Sequence, residues 1–286
     1  MSALYLKIIA MVTMLIDHCG DVFFPRLYFM RVIGRVAMPL YSLMLADSCR
    51  HLKDQPDRMR RFLAFLAVSA LISEPFYDEC FFGGFPSPES HNQVLQFLSF
   101  AAAYALCAWI DRRFARAEAA ADESGAGSVE ELTPRASAEA AAPGTQARTA
   151  ASARFLVWAA VTALNWYFRP GYAAAGILLP LAYLRYLDRL GDMSRGERLR
   201  VNALLMLGFI YCQAAEQFTE YLGARGLIYA TAAVAIPGLN WGVFLAVPLL
   251  AAYDGSYGRV SKLFKRAYRA FYPLHLAAIY LLMKAL

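Results

Sequence analysis

Charge is scarce in this sequence. Asp, Glu, Lys and Arg supply 17% of its 286 residues, where a soluble domain carries about 25%. Hydrophobic residues reach 59% and mean hydropathy is +0.39, which argues against a water-soluble fold of this length. Cysteine offers no pattern either. The five cysteines, Cys19, Cys49, Cys80, Cys107 and Cys212, form no CxxC pair and no ligand spacing, so neither a disulfide framework nor a metal site is expected. No internal repeat is visible, which removes direct support for an inverted-repeat transporter. A cleavable leader is not expected, because no basic stretch precedes the first apolar run and Asp17-His18-Cys19 follow it instead of small residues.

What is present is a series of long apolar runs, several near the roughly 20 residues that span a bilayer core. They are continuously apolar rather than alternating, so they read as helices and not as barrel strands. The expected fold is all-α, a polytopic transmembrane bundle of about nine helices, eight to ten by the limits of the pattern. The net charge of +6 is not a nucleic-acid signature, because Lys and Arg collect in short loops between apolar runs. By the positive-inside rule those loops are cytoplasmic.

In chain order, helices are expected over 4–24, 27–46 (kinked at Pro39), 62–77 and 94–110. The loop with Arg50, Lys53, Arg58, Arg60 and Arg61 is basic and therefore inside, which puts the N-terminus inside too. The loop 78–91, lacking Lys and Arg, belongs outside. From 115 to 152 the sequence turns to Ala, Glu, Ser, Gly, Thr and Pro and cannot bury enough apolar surface to order itself. It reads as a flexible cytoplasmic insertion between a first transmembrane half, 1–114, and a second, 153–286, within one membrane domain. The second half holds helices over 155–168, 172–187 and 201–218, a crossing over 227–252 broken by Pro237-Gly238 and Asn240, and a last helix over 267–286. A basic loop with Arg259, Lys262, Lys265, Arg266 and Arg269 precedes that last helix.

Ionisable groups at membrane depth are costly and are functional candidates by default. Lys7 and His18 lie eleven residues apart on one helix face, separated by about 16 Å of rise, a spacing suited to an elongated ligand. Asp17 points about 100° away from His18, and its natural partners are Arg31 and Arg35, four residues apart on the next run. The plain alternative is a neutralised structural ion pair with His18 packed at the outer boundary. His275, behind Pro273, shares a face with Tyr268 and Tyr272, although a lone histidine on an apolar helix also serves as an ordinary core residue. His51 and His91 fall in loops and are expected to be solvated. Glu74 and Asp78 share a face and suit a cationic acceptor or, equally, an interfacial helix end. Cys19 lacks an electropositive site that would make it a nucleophile.

At these residues the sequence resembles the TraX family of membrane proteins, named for N-acetylation of conjugative pilin. The likeness rests on LKIIAMVTMLIDHCG (Leu6 to Gly20), RVIGRVAMPLYSLMLADSCRH (Arg31 to His51), LISEPFYDE (Leu71 to Glu79) and RAFYPLHL (Arg269 to Leu276). A looser match is VPLLAAYDGSYG (Val247 to Gly258), with Asp254 where the family has Asn. Gly171-Tyr172-Ala173 stands where the family has Asp-Tyr-Gly, and Gln93 to Phe97 replaces the usual Thr and Gly after Asn92.

The resemblance implies an integral membrane acyltransferase of the bacterial inner (plasma) membrane that uses cytosolic acetyl-CoA as co-substrate. Membrane lipid surrounds it, and the acceptor is an amine or hydroxyl on a pilin-like protein, glycan, lipid or small amine; no nucleic acid and no metal are expected. His18 is the first choice of base and His275 the second, with Asp17 orienting the helix. Arg31, Arg35 or Asn92 would stabilise the oxyanion. Lys7, Arg50, Arg58 and the basic loop before the last helix would hold the phosphates of coenzyme A, and Glu74 and Asp78 would meet the acceptor. The competing readings are a transporter or exporter with an intramembrane charged path, and a structural partner in envelope assembly.

Overall fold

A computed structural model of the chain describes residues 1–126, 145–225 and 238–286. Among them regular structure is helical, and the one β contact is an isolated bridge between His91 and Pro170. Helices α1 (Ala3–Val22), α2 (Tyr28–Gly34), α3 (Ala37–Leu52), α4 (Pro56–Phe81) and α5 (Gln93–Ala126) precede α6 (Thr145–Phe168), α7 (Ala175–Asp188) and α8 (Arg195–Arg225). A 3-10 segment (Gly238–Ala246), a short α9 (Val247–Ala251) and α10 (Lys262–Ala285) complete the order.

The helical segments follow the predicted crossings in order, with informative differences. The second predicted helix is two, α2 and α3, separated at Arg35 and Val36. Pro39 sits in the first turn of α3, where it has no N–H for the Arg35 carbonyl and its ring crowds that carbonyl. The break thus falls one turn ahead of the proline. Helix α4 instead continues through Pro75. The predicted insertion, 115–152, is helical at both ends, as the tail of α5 and the start of α6. Its middle, 127–144, lies outside the described residues, as do 227–237 of the predicted broken crossing; Gly238 and Asn240 of that break fall in the 3-10 segment.

Helix α3 is the centre. Leu40, Leu43 and Ala46 are fully enclosed, and so are Ile177 on α7, Met206 and Ile210 on α8 and Leu250 on α9. Close approach elsewhere depends on glycine: a Cβ on Gly34 would overlap Asp17 of α1, and one on Gly242 would overlap the Val32 carbonyl.

The outside inverts the soluble pattern. Leu71, Phe155, Leu156, Leu204, Tyr167 and Leu281 stand well exposed on helix faces, more apolar surface than a water-facing monomer leaves open. Helical spans Ala3–Val22, Tyr28–Leu52 and Gln93–Ala120 are long and apolar enough to cross a membrane. The chain is a helical membrane protein.

Contacts among loops divide the molecule into two ends. At one end Arg112 donates to the Lys53 carbonyl (2.8 Å), Arg50 pairs with Asp188 (3.2 Å) and Arg198 donates to the Tyr253 carbonyl (3.1 Å). These join the basic loops to one another. At the other end Gly171 N–H donates to the His91 carbonyl (2.8 Å), joining the α4–α5 and α6–α7 connections.

Candidate active site

Helices α1 and α10 carry His18 and His275 to the same point. His18 Nδ1 lies 2.8 Å from His275 Nε2, and the rings stack with centroids 5.0 Å apart. His275 Nδ1 is 2.9 Å from the carbonyl of Phe271, one turn back on α10. A carbonyl only accepts, so His275 Nδ1 carries the proton and its Nε2 presents a lone pair. His18 Nδ1–H then donates to that lone pair. The remaining nitrogen, His18 Nε2, is left with its own lone pair directed away from the chain of bonds. This is the arrangement of a general base with a fixed tautomer, set by its neighbour. Phe81 closes edge-on over His18 at 5.0 Å, Phe271 stacks on His275 at 4.7 Å, and Tyr272 meets His275 edge-on at 5.3 Å.

The carboxylate beside His18 faces α2. Asp17 is buried, and its Oδ1 lies 3.5 Å from Arg31 Nη1, which also contacts Asp21 at 2.7 Å. Asp21, one turn on from Asp17, is a member of this cluster that the sequence reading passed over, although the i, i+4 spacing signals it. Arg35 goes elsewhere: its Nη1 donates to the Tyr172 hydroxyl (3.1 Å), while its Nε–H is buried without a hydrogen-bond partner. Arg35 therefore holds a donor that no group in the chain uses, which is what an oxyanion requires.

The other predicted residues divide sharply. Asn92 is fully buried, and both faces of its amide are engaged. Nδ2 donates to the Ala70 carbonyl (2.9 Å) and to Glu74, while Oδ1 accepts from Val94 N–H (2.9 Å) and caps α5. No donor remains for an oxyanion. Glu74 is engaged as well, with His91 Nδ1 at 2.6 Å on one oxygen and Asn92 on the other. His91 is accordingly half-buried and paired rather than solvated. Asp78 Oδ2 accepts from Ser87 N–H (2.8 Å), and its Oδ1 is buried and unpartnered.

Lys7 and Arg58 meet in a cleft of about 590 Å³ at the basic end. Arg61, His51, Lys265 and Arg269 join them over an apolar floor that includes Tyr41 and Phe65. Lys7 Nζ lies 4.5 Å above the Tyr257 ring and 5.1 Å above that of Tyr268. Arg50 is not in the cleft; it is held by Asp188 and the Leu187 carbonyl. Lys7 and Tyr268 thus face one another in the cleft wall, and His18 and His275 face one another deeper along the same two helices. The separations are about 16 Å of rise on α1 and about 10 Å on α10. Among the described residues no cluster of three metal-ligating side chains occurs.

The sequence pattern of the TraX protein family runs through residues 2–283. The chain belongs to that family. The segments of TraX likeness converge in space although they are far apart in sequence. Leu6 to Gly20 brings Lys7 and His18, Arg31 to His51 brings the arginines and the central helix, and Arg269 to Leu276 brings His275. Leu71 to Glu79 supplies Glu74 and Asp78, which brace the loop at the opposite end. No curated protein and no solved structure matches the chain.

Proposed function

We propose that this TraX-family protein is a polytopic inner-membrane acyltransferase that moves an acetyl group from cytosolic acetyl-CoA to an amine or hydroxyl acceptor. The observation that carries the reading is the directed chain from His18 Nδ1 to His275 Nε2 and from His275 Nδ1 to the Phe271 carbonyl. It leaves one basic nitrogen, His18 Nε2, on helix α1, which with α10 also lends Lys7, Lys265 and Arg269 to the cationic cleft.

In this reading the phosphates of coenzyme A pair with Lys7, Arg58, Arg61, Lys265 and Arg269 in the cleft, where guanidinium groups suit bidentate phosphate contacts. The pantetheine arm lies along α1 and α10 towards the histidines. The acceptor N–H or O–H gives its proton to His18 Nε2 as it attacks the thioester carbonyl. Negative charge gathers on the carbonyl oxygen, where the Arg35 Nε–H is available. When the C–S bond breaks, His18 Nε2–H returns the proton to the departing thiolate. His275 touches no substrate in this scheme and is a positioning residue, and Asp17 holds Arg31 and the α1–α2 junction. The N-terminus and the basic end face the cytoplasm.

The test is acetyl-CoA binding and transfer by purified protein. His18→Ala is expected to lower transfer by about 10²–10⁴-fold, the usual contribution of a general base, with acetyl-CoA binding and thermal midpoint retained. His275→Ala is expected to lower it by less, because His18 keeps its base and loses only its fixed tautomer. Full activity in both variants would sink the mechanism. Solute flux in proteoliposomes without any acyl-CoA dependence would favour transport instead.

A further inference from the structure

A second cavity, of about 390 Å³, opens at the end of the molecule opposite the basic cleft. It shares no lining residue with that cleft. Its walls come from the α4–α5 connection, the end of α6, the turn before α7 and the outer part of α8. Two links tie it to the histidine pair. Phe82 lines the cavity, and its chain neighbour Phe81 covers His18; Tyr77 packs on both rings at 5.8 and 5.0 Å. Tyr172 lines it as well and accepts the Arg35 hydrogen bond. The cavity is therefore linked to the base through the packed rings of Phe82, Tyr77 and Phe81, and to Arg35 through the Tyr172 hydroxyl.

Its chemistry is not that of a cation site. Glu89 and Glu216 are offset in part by Arg169, and Glu216 already accepts from Ala175 N–H at 3.1 Å. The prevailing groups are uncharged and hydrogen-bonding. Gln213 Oε1 is buried with no partner, an open acceptor that costs free energy until a ligand donor fills it. The Tyr172 hydroxyl accepts from Arg35 and keeps its own proton to donate. Trp166, 40% exposed, offers a flat apolar face beside them. A flat ring flanked by neutral donors and acceptors fits the face and edge of a pyranose, and the volume suits a compact unit rather than an extended peptide.

We infer that this outer cavity is the acceptor site and that it takes a polyhydroxylated, sugar-like group, presenting one hydroxyl to His18. The inference rests on the acyl-transfer reading. The step it implies is ester formation: the acceptor O–H loses its proton to His18 Nε2, the new C–O bond forms at the acetyl carbonyl, and coenzyme A leaves as the thiol.

The experiment follows [14C]acetyl-CoA in membrane vesicles, with the envelope fraction of cells lacking the protein as acceptor. Label is expected in glycan or glycolipid, released by mild alkali as an ester is. Trp166→Ala and Gln213→Ala should each lower transfer about tenfold at limiting acceptor by raising KM, with kcat approached at high acceptor. Trp166→Phe should keep most of the activity, and acetyl-CoA binding to the purified variants should be unchanged. Label held in alkali-stable amides of protein would overturn the acceptor assignment while leaving acyl transfer intact, as would unchanged KM in well-folded W166A and Q213A. Failure of the purified protein to bind acetyl-CoA, or to label any fraction, would remove both readings.

Discussion

His18 and His275 differ by what their second nitrogens do. His275 is fixed at both ring nitrogens, by a carbonyl behind and His18 in front, whereas His18 is fixed at one. Composition and spacing rank them only by position, so the division between base and positioning residue comes from the hydrogen-bond geometry. The turn before α7 makes a similar point. Ala173 has φ of 45° and Arg169 has φ of 51°, in the left-handed region that costs an L side chain roughly 1–2 kcal/mol. Ala173 is buried, and its carbonyl accepts from the buried Gln96 amide at 2.5 Å. The fold asks for a glycine that this chain lacks. Ala173→Gly is expected to stabilise by about 1 kcal/mol, seen as a raised thermal midpoint; a lowered midpoint would show that the buried methyl group matters more.

Among the elements, the junction of α1 with α2 is the tightest constraint on the site. Gly34 admits Asp17 where any Cβ would overlap it, so Gly34→Ala must push the helices apart and disturb the Asp17–Arg31 pair. Overpacking of this kind costs about 1–3 kcal/mol. Gly208 on α8 has open space around it, and Gly208→Ala is expected to be neutral or to stabilise by about 0.5–1 kcal/mol. Thermal unfolding of the two variants side by side checks the contrast; equal effects would contradict it.

The Asp254 loop beside the start of α1 supplies a pH dependence. Hydrogen bonds from the Ser256 hydroxyl and then the Ser256 N–H hold the Asp254 carboxyl down to about 2. A carboxyl depressed in the folded state contributes stability that is fully present above its ordinary value near 3.8 and is lost as pH falls through about 2. Asp254→Asn, which removes the titrating carboxyl, should flatten the fall in thermal midpoint across that window. An unchanged acid limb would remove Asp254 from the account.

For the molecule as a whole, the two ends make a topological prediction. Single cysteines in a background lacking the native ones should divide by side. Those at Lys53, Asp192 and Ser256 should react with an impermeant thiol reagent from the cytoplasm, and those at Ser90 and Arg169 from outside. Mixed labelling within either group would break the assignment of ends.

The sequence by itself determined the helical class, the long apolar spans, the basic loops and the choice of His18, His275, Asp17 and the two arginines as candidates. Those features follow from hydropathy, charge and spacing, which are properties of one segment at a time. Only the tertiary structure decided that the two histidines touch, that Lys7 faces Tyr268, and that Arg35 turns from Asp17 to Tyr172. It also assigned Asn92 and Glu74 to bracing and Arg50 to Asp188. A polar side chain's role depends on which partner satisfies it, and these partners come from helices far apart in the chain, where no local pattern records them.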